Sequence, residues 1–69
     1  MTNSTIIKIK ENIKMLRENL NISQEKLSEL ADVSTDYISL IERGKRTPSI
    51  KRLCMIAKAL GVEPYELLK

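Results

Sequence analysis

Between Arg43 and Val62 the chain carries six basic side chains and no acidic one: Arg43, Lys45, Arg46, Lys51, Arg52 and Lys58. Arg43, Lys45 and Arg46 crowd into a single short stretch. Gathered guanidinium and ammonium groups suit a polyanionic partner, because contacts with phosphate give affinity and carry little sequence information. A loop of solvated charges is the plainer alternative, and Lys51 and Arg52 can point away from the cluster. The overall balance is less informative. Twelve Lys/Arg against nine Asp/Glu give a net charge of +3, which many small proteins share without touching nucleic acid. Other chemistries lack their residues. There is no His, so triads that use it are excluded, and Cys54 stands alone, which excludes an internal disulfide and leaves no ligand set for structural zinc. No Gly-rich phosphate cradle and no carboxylate cluster on one face is present. The chain reads as neither an enzyme nor a cofactor protein, with no metal and no small-molecule site evident. No apolar run approaches the roughly 18 residues of a membrane span. A reducing, cytoplasmic setting is the expectation.

The elements that hold the basic groups follow from the punctuation of the chain. Its 69 residues make room for one domain. Such a domain buries only about 60% of its surface, so each local choice must agree with the fold. Gly44 and Gly61 each follow an apolar-periodic segment, where a helix ends with positive φ. Pro48 and Pro64 stand at segment starts, where a missing N–H costs little. The first segment, about Thr5 to Leu20, has an apolar stripe of Ile6, Ile9, Ile13, Leu16 and Leu20 at spacings of three and four. Ser23 caps a second segment reaching Ala31, and Asp32 and Val33 form a tight turn. Ser34 caps a third, Thr35 to Arg43, with Ile38 and Ile41 facing the core. After a basic loop, Ser49 or Thr47 caps a fourth that runs to Leu60 with Leu53, Ile56, Ala57 and Leu60 inward. Glu63 to Leu68 allow one last short helix. The expectation is an all-α, compact five-helix domain spanning residues 6–69, behind a short flexible N-terminus at 1–5. Cys54 is expected to be a small buried hydrophobe. Met55, Tyr65 and Leu68 exceed what a small core needs, and suit a dimer surface.

Gln24 to Gly44 is the most informative stretch: a helix of about eight residues, a short turn and a second capped helix. This is helix-turn-helix spacing, with the hairpin at about residues 24–43, although such hairpins also occur in proteins that never meet DNA. The run QEKLSELADVSTDYISLIERGKRTPSIKRLCMIAKALGVEPYELL, with IKMLRENLNIS before it, resembles the lambda-repressor-like or Cro-type helix-turn-helix family, also called the xenobiotic-response-element family. The resemblance covers roughly residues 9–68. Its most specific pieces are SQEKL, the VS…YIS…IERGKRTPS run and the closing IAKALGV…LL. It implies a five-helix fold and sequence-specific binding of duplex DNA, usually as a two-fold homodimer on a palindromic operator.

The resemblance also implies roles for particular residues. Ser23 and Gln24 open the second helix where a DNA phosphate is held, and the free N–H groups of a helix start do attract anions. Ser23 as a plain cap and Gln24 as an ordinary first-turn residue are the alternatives. Thr35, Asp36, Ser39 and Leu40 fall where the recognition helix meets base edges. Thr35 could reach a base edge, a phosphate or a thymine methyl; Asp36 could accept from cytosine N4; Leu40 offers only apolar contact. Asp36 as a helix-dipole charge is the competing reading. Tyr37 is placed near the sugar-phosphate backbone or packs half-buried. Arg43, Lys45 and Arg46 would straddle phosphates. Arg17 and Glu42 would form an ion pair bracing the recognition helix, or else stand as two exposed charges. Ser28 and Asp32 depart from the family's usual Ala and Gly, which implies slightly lower stability. The leading functional reading is a DNA-binding transcriptional regulator, with repression the expected sense. The alternative is a protein–protein interaction module, such as an antitoxin or partner-dependent regulator, gripping a partner through an exposed Leu40.

Overall fold

Three serines start three helices. In each case the side-chain oxygen accepts a first-turn backbone N–H that has no partner within the helix: Ser23 from Lys26, Ser34 from Tyr37 and Ser49 from Arg52. Ser49, rather than Thr47, is therefore the cap of the fourth helix. The structure, a computed structural model, describes residues 3–69. Its elements are α1 (Asn3–Asn19), α2 (Gln24–Ala31), α3 (Thr35–Glu42), α4 (Ile50–Leu60) and a closing 3-10 helix (Pro64–Leu67). No strand occurs among the described residues. The helix stops are equally local. Asp32 ends α2 in the left-handed conformation at φ 56°, and its N–H bonds the Glu29 carbonyl. Gly61 ends α4 at φ 76°.

The core gathers one stripe from each helix. Ile9 and Ile13 come from α1, Leu27 and Ala31 from α2, Ile38 and Ile41 from α3, and Leu53, Ile56, Ala57 and Leu60 from α4. Leu67 plugs the end and is fully buried. Each fully buried Ile or Leu contributes about 1.5–3 kcal/mol of hydrophobic transfer, which offsets the entropy of ordering a short chain. The α2 helix packs against both α3 and α4, while α1 lies across α3 and the 3-10 helix. Asn12 Nδ2 on α1 also donates to the carbonyls of Leu67 and Lys69, at 3.0 and 3.1 Å, and ties the chain's end to its first helix.

Several expectations are corrected. Among the described residues the fold has four α-helices, not five. The last element is a single four-residue 3-10 turn, Pro64–Leu67, with Leu67 anchored in the core. Its bonds run to the third residue back, Glu66 N–H to Glu63 and Leu68 N–H to Tyr65. The first helix begins at Asn3, so residues 3–5 of the expected flexible stretch are helical, and residues 1–2 lie outside the described residues. Leu20 is half exposed, because α1 ends at Asn19 and Leu20 belongs to the turn with Asn21 at φ 57°. Cys54 is exposed. The phase of Leu53, Ile56, Ala57 and Leu60 turns it outward with Ile50 and Lys58, and helical phase outweighs the apolar habit of the residue type.

Candidate nucleic-acid interface

The α3 helix has two faces of different kinds. Ile38 and Ile41 are fully buried on the side of α3 that packs against α1 and α2, so the opposite side must face outward. Thr35 and Asp36 are exposed, Ser39 and Leu40 are half-buried, and Arg43 is exposed at the C-cap. Thr35, Ser39 and Arg43 recur every fourth residue and form one line along the helix. Asp36 and Leu40 lie beside it. Leu40 is thus not the exposed apolar tip that a protein-gripping surface required; its side chain is partly covered.

What holds this helix lies outside it. Arg17 on α1 makes a two-pronged pair with Glu42 at the end of α3: Nε to Oε2 at 2.7 Å and Nη2 to Oε1 at 3.0 Å. The third prong, Nη1, donates to the Ile22 carbonyl at 2.8 Å. The pair is well shielded, with side-chain exposures of 13% for Arg17 and 3% for Glu42. The hydrogen bond to Glu42 raises the Arg17 pKa above its ordinary value, against the desolvation that lowers it. Gln24 Nε2 also donates to Glu42 Oε1, at 3.1 Å. The first residue of α2 is therefore clamped beside the last residue of α3. The Gln24 amide is turned inward to Glu42, while the helix start it occupies keeps outward N–H groups.

Tyr37 is turned away from the outer face of α3. It is 8% exposed, and its hydroxyl accepts the Ser49 N–H at 3.3 Å. Two guanidiniums stack on its ring, Arg46 at 5.0 Å and Arg52 at 5.3 Å from the centroid. Such contacts hold a cation at a defined height without neutralising it. Arg46, Arg52 and Tyr37 line one cleft with Asp32, Val33 and Ser34. Arg52, the member the sequence left unplaced, stands with Arg46 because α4 starts where the loop returns over Tyr37. Lys45 and Arg43 are exposed nearby in sequence, and Gly44 between them adopts φ 74°. A side chain at Gly44 would be strained and would press on the Lys10 side chain, 3.2 Å from the position of its Cβ.

Ser28 fills the α2–α3 crossing. It is 4% exposed, and its hydroxyl donates to the Glu25 carbonyl at 2.6 Å while lying 3.0 Å from Thr35 Oγ1. No sequence signal at short range links Ser28 with Thr35, since the turn between the helices brings them together. Among the described residues no group of His, Cys, Asp and Glu is placed to hold a metal, and no helix is long and apolar enough to cross a membrane.

The pattern of the helix-turn-helix family matches residues 13–67. The chain belongs to that family. Control protein C.BamHI of Bacillus amyloliquefaciens is 42% identical over 69 residues, spanning 99% of this chain and 85% of the relative. Among solved structures, the restriction-modification controller protein C.AhdI of Aeromonas hydrophila superposes with a TM-score of 0.86 at 34% identity, over 90% of this chain and 94% of the other. The DNA-binding domain of the P22 c2 repressor superposes with a TM-score of 0.85 at 36% identity, over 88% and 80%. The proteins this helix-turn-helix chain resembles are transcriptional regulators. A DNA-binding transcriptional regulator is accordingly its class of function.

Proposed function

We infer that the chain is a controller-type regulator that binds a palindromic operator as a homodimer and reads each half-site with α3 in the major groove. The observation that carries this reading is the outward line of Thr35, Ser39 and Arg43 on a helix whose other face is locked into the core. Thr35, Asp36, Ser39 and Leu40 are the base-contact candidates. Arg43, Lys45 and Arg46 follow at the helix exit, where phosphates flank a helix seated in the groove. Ser23 and the backbone around Gln24 present the N-terminus of α2 to a phosphate, with Gln24 itself acting through Glu42. Tyr37 serves the backbone contact indirectly, by holding Arg46 and Arg52.

The similarity to restriction-modification controllers supports a role of that type, acting in the cytoplasm on duplex DNA. Tyr65 and Leu68 at the C-terminal end are exposed and Met55 is half-buried, which suits a two-fold contact there. Selection from random duplexes at physiological salt tests the reading. A palindromic consensus with half-sites about one helical turn apart is expected. A folded protein that enriches no sequence would refute it.

A further inference from the structure

The hydrogens of two hydroxyls can be assigned by counting. Ser28 Oγ has one hydrogen and two lone pairs. The Glu25 carbonyl has no hydrogen, yet it lies 2.6 Å from Ser28 Oγ. Two bare oxygens at that distance would repel, so the Ser28 hydrogen lies between them. Ser28 Oγ can then only accept from its other neighbour, Thr35 Oγ1, at 3.0 Å. The single hydrogen of Thr35 therefore points inward to Ser28, and its lone pairs point outward. The bond also selects one side-chain rotamer for a β-branched residue with few to choose from. Ser28 is buried where Ala would be the better helix former, so the hydroxyl contributes something other than helix propensity.

We propose that Ser28 is a positioning residue that makes Thr35 a pure hydrogen-bond acceptor toward DNA, so that Thr35 selects a base pair by its major-groove amino group. That group is adenine N6 or cytosine N4, and the acceptor edges of guanine and thymine are refused. The inference rests on the reading of Thr35 as a base contact. It also separates Thr35 from phosphate, since a hydroxyl with no hydrogen to spare cannot donate to an anion.

The test uses the full chain and its selected duplex. Thr35→Val first locates the base pair at which preference is lost, while Thr35→Ser, which keeps the hydroxyl, preserves it. At that pair, removing the amino group from the major groove, with 2-aminopurine (which carries it in the minor groove) for adenine or a 2-pyrimidinone for cytosine, weakens wild-type binding about fivefold. Deleting purine N7 with a 7-deaza base leaves wild-type binding unchanged. In Ser28→Ala the Thr35 hydrogen is released, the hydroxyl can donate as well as accept, and the discrimination against a guanine or thymine acceptor edge at that pair shrinks towards one. Ser28→Ala unfolds no lower than the wild type and keeps its salt slope. A Ser28→Ala protein that refuses the acceptor edges as fully as the wild type overturns the proposal, as does a pair that senses loss of an acceptor instead of the amino group. If Thr35→Val alters no single position, the base-contact reading itself is wrong, which is a different result from either of these.

Discussion

Arg17 and Glu42 are the residues on which the placement of α3 depends most. Their pair is nearly dry, and it joins α1 to the end of α3, with Gln24 and the Ile22 carbonyl completing the set of partners. Removing one ion of such a pair leaves the other buried and uncompensated, which costs on the order of 3 kcal/mol. Arg17→Ala is expected to lose about that much in urea unfolding, with Glu42 keeping only the weaker Gln24 donor. Replacing both residues by apolar side chains of similar volume is expected to cost much less, because no charge is then stranded. A single variant as stable as wild type would show the pair to be ornamental. Exposed pairs differ in kind. Lys26 and Glu29, 3.9 Å apart and more than half exposed, contribute close to nothing.

At the scale of elements, the helix starts and stops were the most legible features of the sequence. A Ser at the starts of α2, α3 and α4 and Asp32, Gly44 and Gly61 after the stops are local signals, acting within one turn of the chain. The core stripes were legible for the same reason, since period and burial agree from Ile9 to Leu60. What was not legible depended on contacts between elements. Nothing near Gln24 announces Glu42, and nothing near Tyr37 announces Arg52. Cys54 was misjudged from residue type, when the phase of its helix decides exposure. The closing element is a 3-10 turn instead of a fifth helix, with Leu67 buried and its carbonyl taken by Asn12. Asp32 yields the prediction at this scale. It holds φ 56°, a conformation that costs an L-residue about 1–2 kcal/mol and Gly almost nothing. Asp32→Gly is expected to raise stability by up to about 1 kcal/mol after the extra backbone entropy of Gly is subtracted. A loss of stability on thermal unfolding would mean that the Asp side chain does more than tolerate the turn.

As a whole molecule, the chain separates two tasks. Hydroxyls and a carboxylate stand on the outer face of α3, and the basic groups follow it in the loop and the start of α4. That division makes sequence preference and affinity separable. It also distinguishes a DNA-binding surface from an apolar protein-binding one, because contacts with phosphate release counterions and apolar contacts do not. The most direct measurement is the affinity for the selected duplex across a range of salt concentrations, for wild type and Arg43→Ala. The account predicts a steep linear fall of log affinity with log salt for the wild type. Arg43→Ala should bind all duplexes more weakly, with its slope reduced by about one unit and base preference unchanged. Affinity that barely responds to salt, or an Arg43→Ala protein that keeps the full slope, would contradict it.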